Sequence, residues 1–314
     1  MSISDKAGAL NIDAIDLPKW FIDDAKAVYR HDNFQAALRL FAQLSIEIFH
    51  RNFMLVRVVS EETRYMIGAA LLALCLNRDP SDPSSGATLS KLRLFSAQNN
   101  LSGPNRVSAL VALMVHSGYL RQDSVSFDRR VKRLELTERG LSLAHSFTVA
   151  MLRPLQLLSE KHKYEDVLHS DPRFIGNFYA EILRLYAEGG RFAPKIPVYS
   201  LFVDQNGGRE ILFILWLALI DAEAAGQRTV SCSYGEIARS LGVSRGHVRR
   251  LIESSEKNGL LIIQAAGGRS VELLPKFVDL VETMAALEFA LVLRAADAAA
   301  AAVPVDEPPG PIAP

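Results

Sequence analysis

A mainly α-helical fold with two small β-hairpins, one plan written twice, is the class this 314-residue sequence predicts. Three observations point there. The second half repeats the first in order. Each half contains two short helical segments joined by a tight turn. Each such pair is followed by an alternating hairpin pattern, while apolar residues at helical spacing fill the rest.

The repeat is weak at any one place and consistent along the chain. Ala37-Leu38-Arg39-Leu40-Phe41-Ala42-Gln43 recurs as Ile182-Leu183-Arg184-Leu185-Tyr186-Ala187-Glu188 at an offset of 145. The apolar run from Met66 matches the run from Ile211 at the same offset, and Thr88 to Leu110 then matches Thr229 to Leu251 at an offset of 141. The change of offset fits a longer loop over 77–87, where two prolines, Asp79, Asp82 and Gly86 gather. The division expected is an N-terminal extension over 1–30, a first unit over 31–165 and a second over 166–302. Over 303–314, five prolines in the run from Val303 and the lack of an apolar face mark a disordered tail.

Phe34, Ala37, Leu38, Phe41, Leu44, Ile48 and Phe49 fall on one helical stripe. A buried helix follows from Met66. Ser90 to Gln98 predicts a short helix with Leu92, Leu94, Phe95 and Ala97 inward. Asn100 then stands where a left-handed residue is needed, a geometry Asn tolerates. Pro104 suits the first turn of the next helix, which closes at Ser117-Gly118. Strands flank a charged turn, and a terminal helix covers Leu141 to Leu158. In the second half, Ser233 and Glu236 form a capping-box pair, Gly242 supplies the turn and Ser244 caps a helix running to Lys257. Ala238, Leu241, Val243, Val248, Leu251 and Ile252 form its small core, which leaves Arg245, His247, Arg249 and Arg250 outward. A hairpin turning at Ala265 to Gly268 and a terminal helix from Phe277 complete the unit.

The formal net charge is zero, yet charge is unevenly placed. Nine Lys and Arg face four acids between Thr88 and Gly140, and six face four between Thr229 and Leu273. Basic faces on a neutral molecule suit a polyanionic partner. The two cysteines are too few for a disulfide framework, and Cys75 lies in an apolar run that implies an inert buried thiol. No secretory leader and no apolar run of bilayer length are present, so a cytoplasmic, nucleoid-associated chain without a membrane partner is expected. The histidines are scattered, and neither a phosphate-cradling Gly-rich loop nor Gly-x-Ser-x-Gly occurs. The expectation is therefore a non-enzyme with no catalytic residues, no metal and no cofactor.

Five cations fall between Asp128 and Gly140, at a hairpin edge. Turn, helix, strand, charged hairpin, strand, helix is the layout of a winged helix-turn-helix. From about Leu71 to Leu143 the sequence resembles MarR-type regulators, whose wings commonly read Asp, any residue, Arg, as Asp128-Arg129-Arg130 does. They also end in Leu-Thr-x-x-Gly, as Leu136-Thr137-Glu138-Arg139-Gly140 does. The second half follows the general winged-helix pattern without that wording.

The resemblance implies a tandem winged helix-turn-helix, a pseudo-dimer within one chain whose terminal helices pair its halves. It implies a sequence-specific, duplex-DNA-binding transcriptional regulator. Arg130 would enter the minor groove while Asp128 holds an arginine in place. Arg129, Lys132 and Arg133 would neutralise phosphates. Asn105, Arg106 and Ser108 are the base-reading candidates of the first head. In the second, Arg245 and Arg249 share a face, with Arg250 rotated away. His247 lies on the same helix, Ser233 and Ser244 offer donors to phosphate, and Arg269 follows the wing turn. A small aromatic effector would lie near Arg64, Tyr65, His116 and Tyr119, for which core packing is the alternative for all but Arg64. A homodimer of the whole chain is a further partner. Two other functions stand beside this one: a plasmid-type replication initiator, and an interaction scaffold that no longer touches DNA.

Overall fold

The structure, a computed structural model, describes residues 12–51, 53–82, 84–124, 132–161, 163–171 and 173–302. The tail expected over 303–314 lies outside these residues. The first run of elements is α2 (Phe34–Arg51), α3 (Phe53–Val58), α4 (Glu62–Leu76), β1 (Ala87–Thr88), α5 (Leu89–Gln98), α6 (Pro104–His116), β2 (Leu120–Ser124), β3 (Lys132–Leu136) and α7 (Glu138–Leu152). It is preceded by α1 (Lys19–Tyr29) and followed by the short linker helix α8 (Tyr164–Ser170). The second run is α9 (Arg173–Leu185), α10 (Pro197–Val203), α11 (Gly208–Ala224), β4 (Thr229–Val230), α12 (Tyr234–Leu241), α13 (Arg245–Lys257), β5 (Leu261–Ala265), β6 (Ser270–Leu273) and α14 (Pro275–Ala301). The chain is mainly helical with two small antiparallel sheets. Their strand orders, β1-β3-β2 and β4-β6-β5, correspond position for position. The division expected between 165 and 166 falls inside α8.

The halves do not pack as separate bodies. α2 lies on α11 of the second half, and α9, which holds the place of α2 in the repeat, lies on α4 of the first. At that contact a Cβ on Gly176 of α9 would sit 2.9 Å from Leu76 Cβ and 2.3 Å from Asn77 Oδ1, so only glycine lets the two helices come this close. Residues from Ile12 to Ala299 form one large apolar core that includes all of α9, α11 and α14 on their inner faces. A smaller core of Val58, Ile67, Leu71, Leu92, Val107, Val111 and their neighbours belongs to the first head. α4 serves both: Ala69 and Ala73 join the large core, while Ile67, Ala70 and Leu71 join the small one. That explains a helix buried on nearly all sides, with no clear polar face.

Residues 19–29, assigned by sequence to an extension, lie as α1 along α14. Arg294 stands over the Trp20 ring at 4.7 Å and pairs with Asp24 at 2.7 Å. α5 corrects another expectation. Leu92 is buried, but Leu94 is 58% exposed and Ala97 is also outward, while Ser96 is buried instead. Residues four apart share a helix face, which unites Leu92 with Ser96 and rotates Leu94 away. The Ser96 hydroxyl is satisfied by donating to Ser102 O at 2.9 Å and accepting from Ser102 N at 3.1 Å.

The Leu136 to Gly140 segment is a weld between sheet and terminal helix. Thr137 N donates to Tyr119 O at 3.1 Å, its hydroxyl donates to Gly118 O at 2.6 Å, and it caps α7 by accepting from Gly140 N at 3.1 Å. In the second half Leu274 N donates to Leu260 O at 2.9 Å, so the backbone part of the weld is kept without the hydroxyl.

Glu282 on α14 is buried and receives hydrogen bonds from Gln35 Nε2 at 2.7 Å and Tyr29 hydroxyl at 3.1 Å. Burial pushes its carboxyl above the ordinary value near 4.5, with Gln35 and Tyr29 pulling the other way. The folded state thus holds this proton more tightly than the unfolded chain does. Its contribution is complete below the ordinary value and is lost as pH rises through the higher folded one. The urea midpoint of the parent chain should fall as pH rises from about 5 to about 8. Glu282→Gln should flatten that decline; an unchanged slope would exclude Glu282 as a source.

Candidate nucleic-acid interface

In the second half, local chemistry sets α12 and α13. Ser233 Oγ accepts from Glu236 N at 3.4 Å and Ser244 Oγ accepts from His247 N at 3.1 Å, so both serines act as N-caps. Gly242 between the helices is left-handed at φ 65°. Ala238, Leu241, Val248, Leu251 and Ile252 are buried and Val243 half-buried, which locks the pair. Arg245, Arg249 and Arg250 are consequently exposed. Arg245 and Arg249 border an open groove of about 640 Å³ between α13 and the hairpin turn at Ala266 and Gly267, and Arg250 stands outside it. Arg249 Nε is 3.7 Å from Glu253 Oε1, but with both side chains about half exposed (60% and 49%) this is a weak tether that a stronger anion can displace. Arg269 is exposed just past the turn.

His247 is a correction. Expected to point outward, it is half-buried, and its Nε2 lies 2.9 Å from the carbonyl oxygen of Asn206. The loop between α10 and α11 presents that carbonyl, and only tertiary packing brings it there. The ring ties the first turn of α13 to that loop.

In the first half Asn100 adopts φ 51°, the left-handed position that Gly242 fills in the second. Pro104 opens α6, with Asn105 and Arg106 exposed on its first turn. Ser108 is a second correction: its hydroxyl donates to Pro104 O at 2.6 Å and accepts from Arg93 Nη2 at 2.7 Å, joining α5 to α6. Asp128, Arg129 and Arg130 lie outside the described residues. Lys132 is exposed and Arg133 half-buried on β3, opposite Ser124 and Asp123. The neighbouring Arg121 is exposed but paired with Glu135 at 2.6 Å and with Asp123 at 3.1 Å. Arg106 also borders a second open groove, of about 710 Å³, together with Arg57, Arg64, Asp204 and Asn206. The first turns of α6 and α13 therefore both flank the loop carrying Asn206.

Of the four residues proposed around an effector, the structure unites two. Tyr65 and Tyr119 line an apolar cavity of about 70 Å³ between α4, α6 and α7, walled also by Leu72, Met114, Leu143 and Phe147. His116 is exposed on the last turn of α6 and lines no part of it. Arg64 is spent elsewhere, correcting its assignment. Its guanidinium donates to Glu61 at 2.9 Å, to Arg57 O at 2.8 Å and to Asn206 Oδ1 at 3.0 Å. Asn206 thus receives Arg64 of the first half on its side chain and His247 on its carbonyl, a junction no local pattern signals.

Cys75 Sγ donates to Leu134 O at 3.3 Å, and burial pushes both thiols up to about 12, so neither is a ready nucleophile. Among the described residues no group of three or more His, Cys, Asp and Glu could hold a metal ion. Nor is any helix among them long and apolar enough to cross a membrane. Removing the α13 cap with Ser244→Ala should cost about 1 kcal/mol, read as a lower urea midpoint at unchanged slope, and Ser244→Gly only a few tenths. An unchanged midpoint in Ser244→Ala would mean that the hydroxyl does not cap. No family model, no curated protein and no solved structure matches this chain.

Proposed function

We propose that the chain is a duplex-DNA-binding transcriptional regulator of the winged-helix kind, related in plan to MarR-type proteins, with two reading heads in one polypeptide. The observation that carries this reading is the exposed row of Arg245, Arg249 and Arg250 on a capped helix, beside a hairpin that carries Arg269. Helix and hairpin border one groove, so a polyanion can meet both at once. Arg245 and Arg249 suit bidentate contact with guanine edges, while Arg250 and Arg269 suit phosphates. The first head has fewer groups for base edges, Asn105 and Arg106, and relies on its wing cations for phosphate and minor-groove contact. Because the heads differ, one chain prefers an asymmetric site. A small aromatic effector between the first head and α7 would have to widen the cavity of about 70 Å³ lined by Tyr65 and Tyr119, since a benzene-binding cavity measures about 150 Å³.

Fluorescence anisotropy with duplex DNA tests the reading. Affinity should fall with rising salt by roughly 0.9 log units per phosphate contact in log–log form. Arg249→Ala should relax preference at one base position, worth ~1–3 kcal/mol of discrimination. Arg130→Ala should weaken binding to all sequences alike and lower the salt slope. A parent chain that leaves duplex DNA free at low salt would defeat the proposal and favour the interaction scaffold. Selection of reiterated origin sequences would instead favour a replication initiator.

A further inference from the structure

Where the two halves meet, a cavity of about 60 Å³ belongs to neither alone. Glu62 and Tyr65 reach it from the first half, and Tyr186, Phe192, Tyr199 and Glu288 from the second. Phe192 and Tyr199 stack at 5.9 Å with an interplanar angle of 12°. Such a space holds about four waters or one small organic ion.

Its charges are unevenly matched. Arg191 pairs with Glu62 at 2.7 Å and Arg64 with Glu61 at 2.9 Å, which neutralises the rim. Deeper in, Arg209 Nη1 donates to Glu288 Oε1 at 3.0 Å, and its Nε lies 3.6 Å from Oε1 of Glu210. One guanidinium therefore faces two carboxylates. Glu288 Oε2 and both oxygens of Glu210 are buried and find no hydrogen-bond partner among the described residues. Burial raises both carboxyls above their ordinary value, and Arg209 opposes the shift. Burial also raises the Tyr65 and Tyr199 phenols, so these rings stay neutral and present electron-rich faces.

We propose that this cavity binds a small organic cation of the primary-ammonium class, its charge held between the Glu288 carboxylate and the tyrosine and phenylalanine rings. Since both halves supply the walls, the ion fastens their relative placement. The inference stands apart from DNA binding and is tested without it.

Thermal unfolding of the full chain near pH 8 in methylammonium chloride, against matched sodium chloride, reads the effect. The midpoint should rise saturably with methylammonium and remain unmoved by sodium acetate. Glu288→Gln should abolish the saturable part. Phe192→Leu, which keeps the carboxylate and removes one ring, should weaken apparent affinity about two- to fivefold. The proposal is overturned if methylammonium does no more than sodium chloride, if Glu288→Gln responds as the parent does, or if acetate gives the larger shift. It is equally overturned if the chain ignores methylammonium yet gains stability on acidification that Glu288→Gln lacks, since a proton alone would then balance the carboxylates.

Discussion

Phe41 of α2 meets Phe213 of α11 edge-on at 5.4 Å and Phe289 of α14 at 5.3 Å, so the first half completes its core only inside the second. The reverse is also true, because α9 closes against α4. A surface helix with a single apolar stripe needs a partner for that stripe, and here each half lends its first helix to the other. Each buried aromatic contributes roughly 1.5–3 kcal/mol from the area it removes from water. The exchange thus couples the halves far more strongly than an ordinary domain contact. Polar ties follow the same path: Arg39 to Asp221 at 2.9 Å, and Gln35 and Tyr29 to Glu282.

From that central packing the heads inherit their positions. α4 presents Ala69 and Ala73 to the shared core and Ile67, Ala70 and Leu71 to the first head, so a displacement at one side is felt at the other. In the second half the head core is continuous with the shared core. Equivalent positions of the repeat take different roles where the halves touch. Arg64 and Arg209 hold equivalent places at the offset of 145, yet Arg64 serves Glu61 and Asn206 near solvent while Arg209 serves buried Glu288 and Glu210. Sequence divergence has turned a symmetric pair into one junction and one buried charge cluster.

Electrostatics separates the faces of a chain with no net charge. Many of its cations are spent internally, as in Arg121 with Glu135, Arg153 with Glu165 and Arg191 with Glu62. Among the described residues, those on α13 have at most the loose tether of Arg249 to Glu253. Long-range attraction for a polyanion comes from charge that is not already neutralised at close range. This is why position on a capped, outward helix weighs more than the number of basic residues.

Caps, turns and element order were legible in the residues themselves. Ser233, Ser244 and Pro104 act within one helical turn, and Asn100 and Gly242 answer to the steric map of their own backbone, so neighbours suffice to place them. The repeat likewise announced two runs of elements in one order. Other outcomes depend on surfaces that meet only after folding. Ser96 is buried and Leu94 exposed because of how α5 rotates onto α6. Ser108 is taken by Arg93, and His247 and Arg64 by Asn206, a residue far from both in sequence. The cavity around Glu288 draws its walls from segments more than a hundred residues apart. Local backbone chemistry is written in adjacent letters. Which polar side chains remain free, and where space is left between apolar faces, is decided by packing across the whole chain.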